Sequence, residues 1–165
     1  MKPQLIVMPI KKMLEWILAC NDEHVAVLVA ASYDIDLDKL PGNCAVELFD
    51  DIDYECLGRS ISEDQAKHYA KFVKDLPNNT EIIICSCNAG ESRSAALCAS
   101  LCEYYDLDSN WIWGSPQYHP NMLVFDMFTR ALGLEIDDAR QEDLFQTNRT
   151  VFANAIKQAR GNKRG

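Results

Sequence analysis

The sequence predicts an α/β fold in which a central, mostly parallel sheet is covered by helices on both faces. Short apolar runs, one of them nearly continuous, are typical of strands that are buried on both sides. These runs are separated by longer segments in which apolar residues recur with helical spacing. In chain order the elements are strand, helix, strand, strand, helix, strand and three helices, an order that is typical of a sheet between helical layers.

The composition is that of an ordinary globular protein, and we expect one domain over residues 1–165. Apolar residues make up 48% of the chain and charged residues 25%, and this length suits one hydrophobic core. The N-terminal segment is a poor signal peptide and no apolar run is long enough to span a bilayer, so we expect a cytoplasmic protein. The net charge of −9 disfavours nucleic acid and anionic membranes as partners.

Three strands and two helices are predicted in the first half of the chain. Apolar patterning places strands at residues 5–8, 25–30 and 44–49. It places the first helix at residues 9–19, between the first two strands. Ser60 or Ser62 can cap the second helix, because the acidic residues that follow favour the positive end of a helix. Pro77-Asn78-Asn79 ends that helix.

One strand and three helices are predicted in the second half. The strand at residues 81–85 is the clearest, because it is a run of isoleucines that leads directly into a polar loop. The helices are expected at residues 94–105, 120–132 and 143–159. Cys98 and Cys102 are four residues apart on the first of these helices, so we expect both to face the core.

The seven cysteines predict neither a disulfide framework nor a metal site. An odd number in a chain of this type argues against paired disulfides. Cys85 and Cys87 are separated by one residue, which is shorter than the usual spacing of zinc ligands. We expect no metal and no organic cofactor, and we interpret Cys85 as a buried core residue that could oxidise to a disulfide with Cys87.

The chemistry is predicted by the segment Cys87-Asn88-Ala89-Gly90-Glu91-Ser92-Arg93-Ser94. A loop from the end of a strand to the start of a helix directs its backbone N–H groups at one point, which makes an anion site. Gly90 permits a backbone angle that other residues adopt only at a cost. We therefore expect residues 88–93 to bind a tetrahedral oxyanion, with Arg93 binding two of its oxygens.

The same donors favour the ionised form of Cys87, which is the nucleophilic form of a cysteine. Ser94 follows the arginine, and its hydroxyl can donate to the sulfur of Cys87. These residues resemble the Cys-x5-Arg-Ser signature of the protein-tyrosine phosphatase superfamily, and look most like its small dual-specificity members. The resemblance covers most of residues 5–135, is strong only at 82–96, and includes the Pro120-Asn121 pair that begins a helix.

The resemblance implies a phosphatase fold and a phosphatase activity without metal or cofactor. Cys87 would attack the phosphoester, Arg93 would bind the phosphoryl group, and an aspartate upstream would protonate the leaving oxygen. Asp50, Asp51 and Asp53 lie where the family has that acid, and Asp51 is our first choice because Phe49-Asp50-Asp51-Ile52 fits the family's pattern. Asp53 is the second choice.

The expected substrate is a phosphorylated protein or another phosphomonoester, with phosphotyrosine favoured over phosphoserine and phosphothreonine. Two departures from the family stand out: Ser86 replaces the histidine that usually precedes the nucleophile, and Glu91 disfavours polyanionic substrates. Two alternatives stay open at this point. One is a phosphate-binding module without turnover, and the other is a rhodanese-type sulfurtransferase.

Overall fold

The computed structural model describes residues 1–20 and 23–163. The strands are β1 Gln4–Pro9, β2 Val25–Ala31, β3 Cys44–Leu48 and β4 Ile82–Cys87. The helices are α1 Ile10–Ala19, α2 Glu63–Lys74, α3 Arg93–Tyr104, α4 Asn110–Trp113, α5 Met122–Ala131 and α6 Asp138–Asn162. A single 3-10 turn at Leu37–Lys39 follows β2.

The four strands form one sheet in the order β1-β4-β2-β3, and every pairing is parallel. The predicted α/β class and central parallel sheet are therefore confirmed. Because the strands are parallel, their carboxyl ends meet at one edge of the sheet. Cys87 is the last residue of β4, and it pairs with Pro9 on one side and Ala30 on the other.

Helices cover both faces of the sheet, as predicted. On one face α2, α3 and α5 enclose the larger core, whose largest fully buried side chains are Trp113, Tyr69, Phe125 and Phe128. On the other face α1 packs Ile10 and Met13 against alternate residues of β2 and β4. The seven residues of β2 are all buried, which explains its nearly continuous apolar sequence.

Capping residues set several helix boundaries. Ser62, one of the two predicted caps, begins α2: its hydroxyl accepts from Gln65 N, and the Gln65 side chain accepts from Ser62 N. This reciprocal pair is a capping box. The predicted start of the last helix at residue 143 is wrong, because the Asp137 side chain accepts a hydrogen bond from Arg140 N and starts α6 at Asp138. The short helix α4 lacks the repeating pattern that predicts longer helices.

Asn148 anchors the long helix α6 to the rest of the chain. Its side chain is buried, and its Nδ2 donates to the carbonyl oxygens of Trp113 at 3.1 Å and Tyr118 at 2.8 Å. Its Oδ1 lies 3.0 Å from Nδ1 of His119. Most of α6 beyond this contact is polar and exposed, and within the described ranges no helix combines the length and apolar character that crossing a bilayer requires.

We expect Asn148→Ala to lower the free energy of unfolding by about 1–3 kcal/mol, because two buried carbonyl groups lose their donor. Asn154→Ala, an exposed position on the same helix, is the control and should change stability by no more than about 0.5 kcal/mol. Urea unfolding followed by circular dichroism measures both. Equal stability of the two variants would contradict an anchoring role for Asn148.

Candidate active site

Cys87 lies at the carboxyl edge of the sheet, where β4 passes into the loop of residues 88–92 and then into α3. Its side chain is buried, and its Sγ lies 3.0 Å from the Oγ of Ser94 in the first turn of α3. When the sulfur is ionised, the serine hydroxyl is the donor of this pair. The contact is therefore one that stabilises a thiolate.

The backbone of the loop presents a series of unpaired donors. The N–H groups of Ala89, Gly90, Glu91 and Ser92 donate to no acceptor within the part of the chain that the structure describes. Ser92 precedes α3 but makes no capping bond to it, so the first N–H groups of that helix also lack a side-chain acceptor. Successive free amides next to a helix start form an anion-binding concavity.

Two contacts with the end of β1 hold the loop in place. Gly90 has φ +70° and lies directly on β1, so that a Cβ at this position would come within 2.4 Å of the nitrogen of Pro9. Both the angle and the close approach require glycine. Ser86 donates from its Oγ to the carbonyl oxygen of Met8 at 2.9 Å, and it is fully buried. Ser86 thus ties β4 to β1.

Arg93 is buried, and three neutral acceptors hold its guanidinium. Nη1 donates to the carbonyl oxygen of Phe49 at 2.6 Å and to the hydroxyl of Ser32 at 2.9 Å. Nη2 donates to the side-chain oxygen of Asn88 at 2.8 Å, and the same oxygen accepts from the backbone N of Ser32 at 3.1 Å. The ends of β2 and β3 and the loop after β4 thus converge on one cation.

The charge of Arg93 is not neutralised within the protein. Among the described residues no carboxylate forms an ion pair with it, and its Nε is buried without a hydrogen-bond partner. A buried ion without a counter-ion costs about several kcal/mol. An anionic ligand would supply both a counter-ion for this guanidinium and an acceptor for its buried Nε.

Asp51 reaches the loop from the segment that follows β3. Its Oδ1 accepts from Ser92 Oγ at 2.8 Å and from Asn121 Nδ2 at 2.8 Å, and the side chain is exposed. These two donors occupy one carboxyl oxygen and leave the other free to hold a proton. Asn121 also caps α5 through Val124 N, so the predicted helix start is confirmed.

The other two candidate acids lie elsewhere. Asp50 forms an ion pair with Arg59 at 3.1 Å. Asp53 is exposed and lies in a cavity beside α6, with Met122 and Phe145. The structure thus brings Asp51 to the loop with Cys87, Arg93 and Ser94, and it does not bring Asp50 or Asp53 there.

Sequence reasoning missed Ser32, the carbonyl of Phe49 and the roles of the Asn88 and Asn121 side chains. Ser32 had a usable signal, because a polar residue directly after a buried parallel strand lies at the edge where sites form. The carbonyl of Phe49 had no signal in the sequence, since every residue has a backbone oxygen. Asn88 was expected to bind through its backbone, and its amide side chain instead supports Arg93.

Three further buried cysteines, Cys85, Cys98 and Cys102, lie in the same core as the Cys87 side chain. Burial raises the pKa of Cys98, and its hydrogen bonds to Cys102 and Cys85 raise it further. All three lie in the core between β4 and α3, so they act as small apolar side chains. This agrees with the interpretation of Cys85, Cys98 and Cys102 as core residues.

The fold is similar to that of solved phosphatase structures. The crystal structure of PTPMT1 is 14% identical with a TM-score of 0.39, covering 93% of this chain and 95% of that one. PTPMT1 in complex with PI(5)P is 12% identical with a TM-score of 0.40, covering 92% and 94%. Tk-PTP in the active form is 12% identical with a TM-score of 0.37, covering 90% of each chain.

No protein-family model and no curated protein sequence matches the chain. Within residues 1–20 and 23–163 no group of three or more His, Cys, Asp or Glu side chains is arranged as metal ligands.

We expect Gly90→Ala to destabilise the protein by about 3 kcal/mol or more, because backbone strain adds to a steric clash with β1. Gly58→Ala is a matched control: Gly58 has φ +78°, but a Cβ there meets nothing within 4 Å. This variant should lose only the strain of about 1–2 kcal/mol. Urea unfolding of both variants gives the difference, and equal losses would show that contact with Pro9 does not constrain the loop.

We expect Asn88→Asp to weaken binding of inorganic phosphate by at least about tenfold, because a carboxylate beside Arg93 neutralises the cation and repels the anion. Asn78→Asp adds the same charge at an exposed position before β4, at the far edge of the sheet, and should leave the affinity nearly unchanged. Isothermal titration calorimetry with phosphate measures both. Similar affinities for the two variants would argue against an anion site at Arg93.

Proposed function

We propose that this protein is a cysteine-dependent phosphatase, of the small dual-specificity type, which hydrolyses phosphomonoesters through a phosphocysteine intermediate. One observation carries the proposal. The sulfur of Cys87 lies 3.0 Å from the hydroxyl of Ser94, at the base of a loop of unpaired amides that is closed by a buried arginine without a carboxylate partner. This arrangement favours both a thiolate and a phosphoryl group in front of it.

In the first step the phosphoryl oxygens occupy the loop of residues 88–92, with the amides and Arg93 as donors. The thiolate of Cys87 attacks phosphorus, an S–P bond forms, and the P–O bond to the leaving group breaks. Asp51 transfers its proton to the leaving oxygen. The free carboxyl oxygen of Asp51 carries that proton, since the other oxygen accepts from Ser92 and Asn121.

In the second step water attacks the phosphocysteine, and the Asp51 carboxylate takes the proton of that water. The S–P bond breaks and inorganic phosphate is released. The electron pair returns to the sulfur of Cys87, where the hydroxyl of Ser94 donates to the departing thiolate. Neither step needs a metal or an organic cofactor.

The proposed substrate is a phosphorylated protein, with phosphotyrosine first and phosphoserine or phosphothreonine second. Glu91 supports a singly phosphorylated group over a polyanionic one, because its side chain is exposed beside the loop. The sulfurtransferase alternative is less well supported, since that chemistry gives no role to Asp51 beside the loop. A thiosulfate–cyanide assay tests it directly.

The alternative is a catalytically weak or inactive phosphate-binding module on the same fold. The observation in its favour is Ser86, which stands where the family has a histidine and bonds to Met8. Phosphate binding without turnover of para-nitrophenyl phosphate from about pH 5 to pH 8 would select this alternative.

Replacement of Cys87 by serine should lower turnover of para-nitrophenyl phosphate about a thousandfold or more, because the nucleophile is lost. Cys56→Ser, a half-exposed cysteine away from the loop, should retain wild-type turnover. Mass spectrometry of the acid-quenched wild-type enzyme should show one added phosphoryl group on the peptide that contains Cys87. If Cys87→Ser keeps its activity, the proposal is refuted.

Replacement of Asp51 by asparagine should lower kcat for phenyl phosphate by about 10²–10⁴-fold, because a poor leaving group needs the proton most. The fall in activity with rising pH should disappear in the same variant, because asparagine has no acidic proton to lose. Asp53→Asn serves as the control and should keep the wild-type pH profile. The opposite result, in which only Asp53→Asn changes the profile, would assign the acid to Asp53.

A further inference from the structure

Two segments begin at the candidate site and form what we call the acidic rim, residues 32–40 after β2 and residues 48–59 after β3. Residue 32 is the serine that accepts from Arg93, and Asp51 accepts from Ser92. Ala31 and Leu48 pair in the sheet, so the two segments leave it side by side. They therefore border the candidate site on the side of β2 and β3.

Exposed apolar side chains are concentrated on the acidic rim. Tyr33, Leu37, Tyr54 and Leu57 are all more than half exposed. Leu57 is fully exposed, although it sits in an ordered turn in which the Ser60 hydroxyl accepts from Cys56 N and donates to Cys56 O. Single exposed leucines are ordinary on protein surfaces. Four exposed apolar side chains on two neighbouring segments are typical of a surface that contacts a ligand.

The charge of the acidic rim is strongly negative. It contains seven carboxylates, and its two basic residues, Lys39 and Arg59, are each already paired with a rim aspartate. Four carboxylates have no hydrogen-bond or ion-pair partner in the described part of the chain, namely Asp34, Asp38, Asp53 and Glu55. Asp53 lies in the cavity beside α6, and Glu55 lines a second cavity with Lys67 and Arg130. Asp34 and Asp38 are exposed on the segment that follows Ser32, so they are free to face a partner.

The side of the loop after β4 that faces β1 carries positive charge. Lys11 and Lys12 lie in the first turn of α1, directly after Pro9, which pairs with Cys87. Lysines at a helix N-terminus oppose the helix dipole, and the described residues offer them no ion pair. In the sheet order β1-β4-β2-β3, the loop after β4 therefore lies between a basic side and the acidic rim.

We propose that the acidic rim selects phosphorylated protein segments that carry Lys or Arg, together with apolar residues, beside the phosphorylated residue. This inference rests on the proposed phosphatase function. The buried Arg93, with its unpartnered Nε, binds the phosphate, while the free carboxylates attract the cationic flank and the exposed Tyr and Leu side chains contact its apolar residues. An anionic lipid surface would meet the exposed carboxylates of Asp34 and Asp38 and be repelled.

Electrostatic selection of this kind acts mainly on the rate of encounter. Complementary charges raise association rates by about tenfold to a thousandfold at low salt, and salt screens them over a Debye length of about 8 Å at physiological ionic strength. The effect should therefore appear in kcat/KM and not in kcat. It should also weaken as salt is added.

The test compares two phosphotyrosine peptides that share apolar residues and differ only in carrying four Lys/Arg or four Asp/Glu flanking residues. At low salt the wild-type enzyme should show at least about tenfold higher kcat/KM for the cationic peptide. This ratio should fall toward one as sodium chloride is raised. The double variant Asp34→Asn, Asp38→Asn should lose most of the ratio.

The matched control removes two exposed carboxylates outside the rim, through Glu135→Gln and Asp143→Asn, and should keep the wild-type ratio. Loss of the ratio in this variant would show that overall charge, and not the rim, makes the selection. Equal kcat/KM for both peptides, or preference for the acidic one or for vesicles containing a phosphoinositide, would overturn the inference. If the wild-type enzyme fails to hydrolyse para-nitrophenyl phosphate, the phosphatase function fails first; if it hydrolyses that ester but not the peptides selectively, only the rim inference fails.

Discussion

The placement of Arg93 is the constraint on which the site depends. A guanidinium is buried at the edge of the sheet, and its three acceptors, Phe49 O, Ser32 Oγ and Asn88 Oδ1, are all neutral. Neutral acceptors satisfy part of its hydrogen-bonding capacity without cancelling its charge. Because the acceptors come from three segments, the cation also fixes the ends of β2 and β3 relative to the loop. A carboxylate in place of the Ser32 hydroxyl or the Asn88 amide would accept from the guanidinium but remove its attraction for an anion.

The loop around that cation is shaped by contacts with β1. Gly90 rests on Met8 and Pro9, and Ser86 bonds to Met8 from within β4. A loop with several unpaired amides would otherwise relax toward water or toward internal hydrogen bonds. Packing against a neighbouring strand prevents this relaxation, so the donors stay directed at one point. The unsatisfied Nε of Arg93 lies beside these donors, where an anionic ligand would give it a partner.

The distribution of charge explains how an acidic protein can attract a phosphate. The chain carries a net charge of −9, which repels anions at long range. At short range the starts of α1 and α3, the free amides and Arg93 all present positive potential at the carboxyl edge of the sheet. The negative charge lies at the side, on the segments after β2 and β3, where it can act on the rest of a substrate. Local donors thus determine binding of the phosphate, and the surrounding charge affects which molecule brings it.

Much of this protein was determined by the sequence alone. The apolar runs predicted four strands, and the spacing of Cys87, Gly90, Arg93 and Ser94 predicted an anion-binding loop. The resemblance of that loop to the phosphatase signature pointed to an acid in the turn after the third strand, with Asp51 as one of three candidates. These features are local, because a strand, a loop and a helix start are defined by neighbouring residues. Only the tertiary structure decided that Asp51 and not Asp50 or Asp53 meets the loop, that Ser32 and the Phe49 carbonyl hold Arg93, and that Ser86 bonds to β1. Those contacts join residues that are 41 to 78 positions apart, and no local pattern records which of several polar side chains a parallel sheet will bring to the same edge.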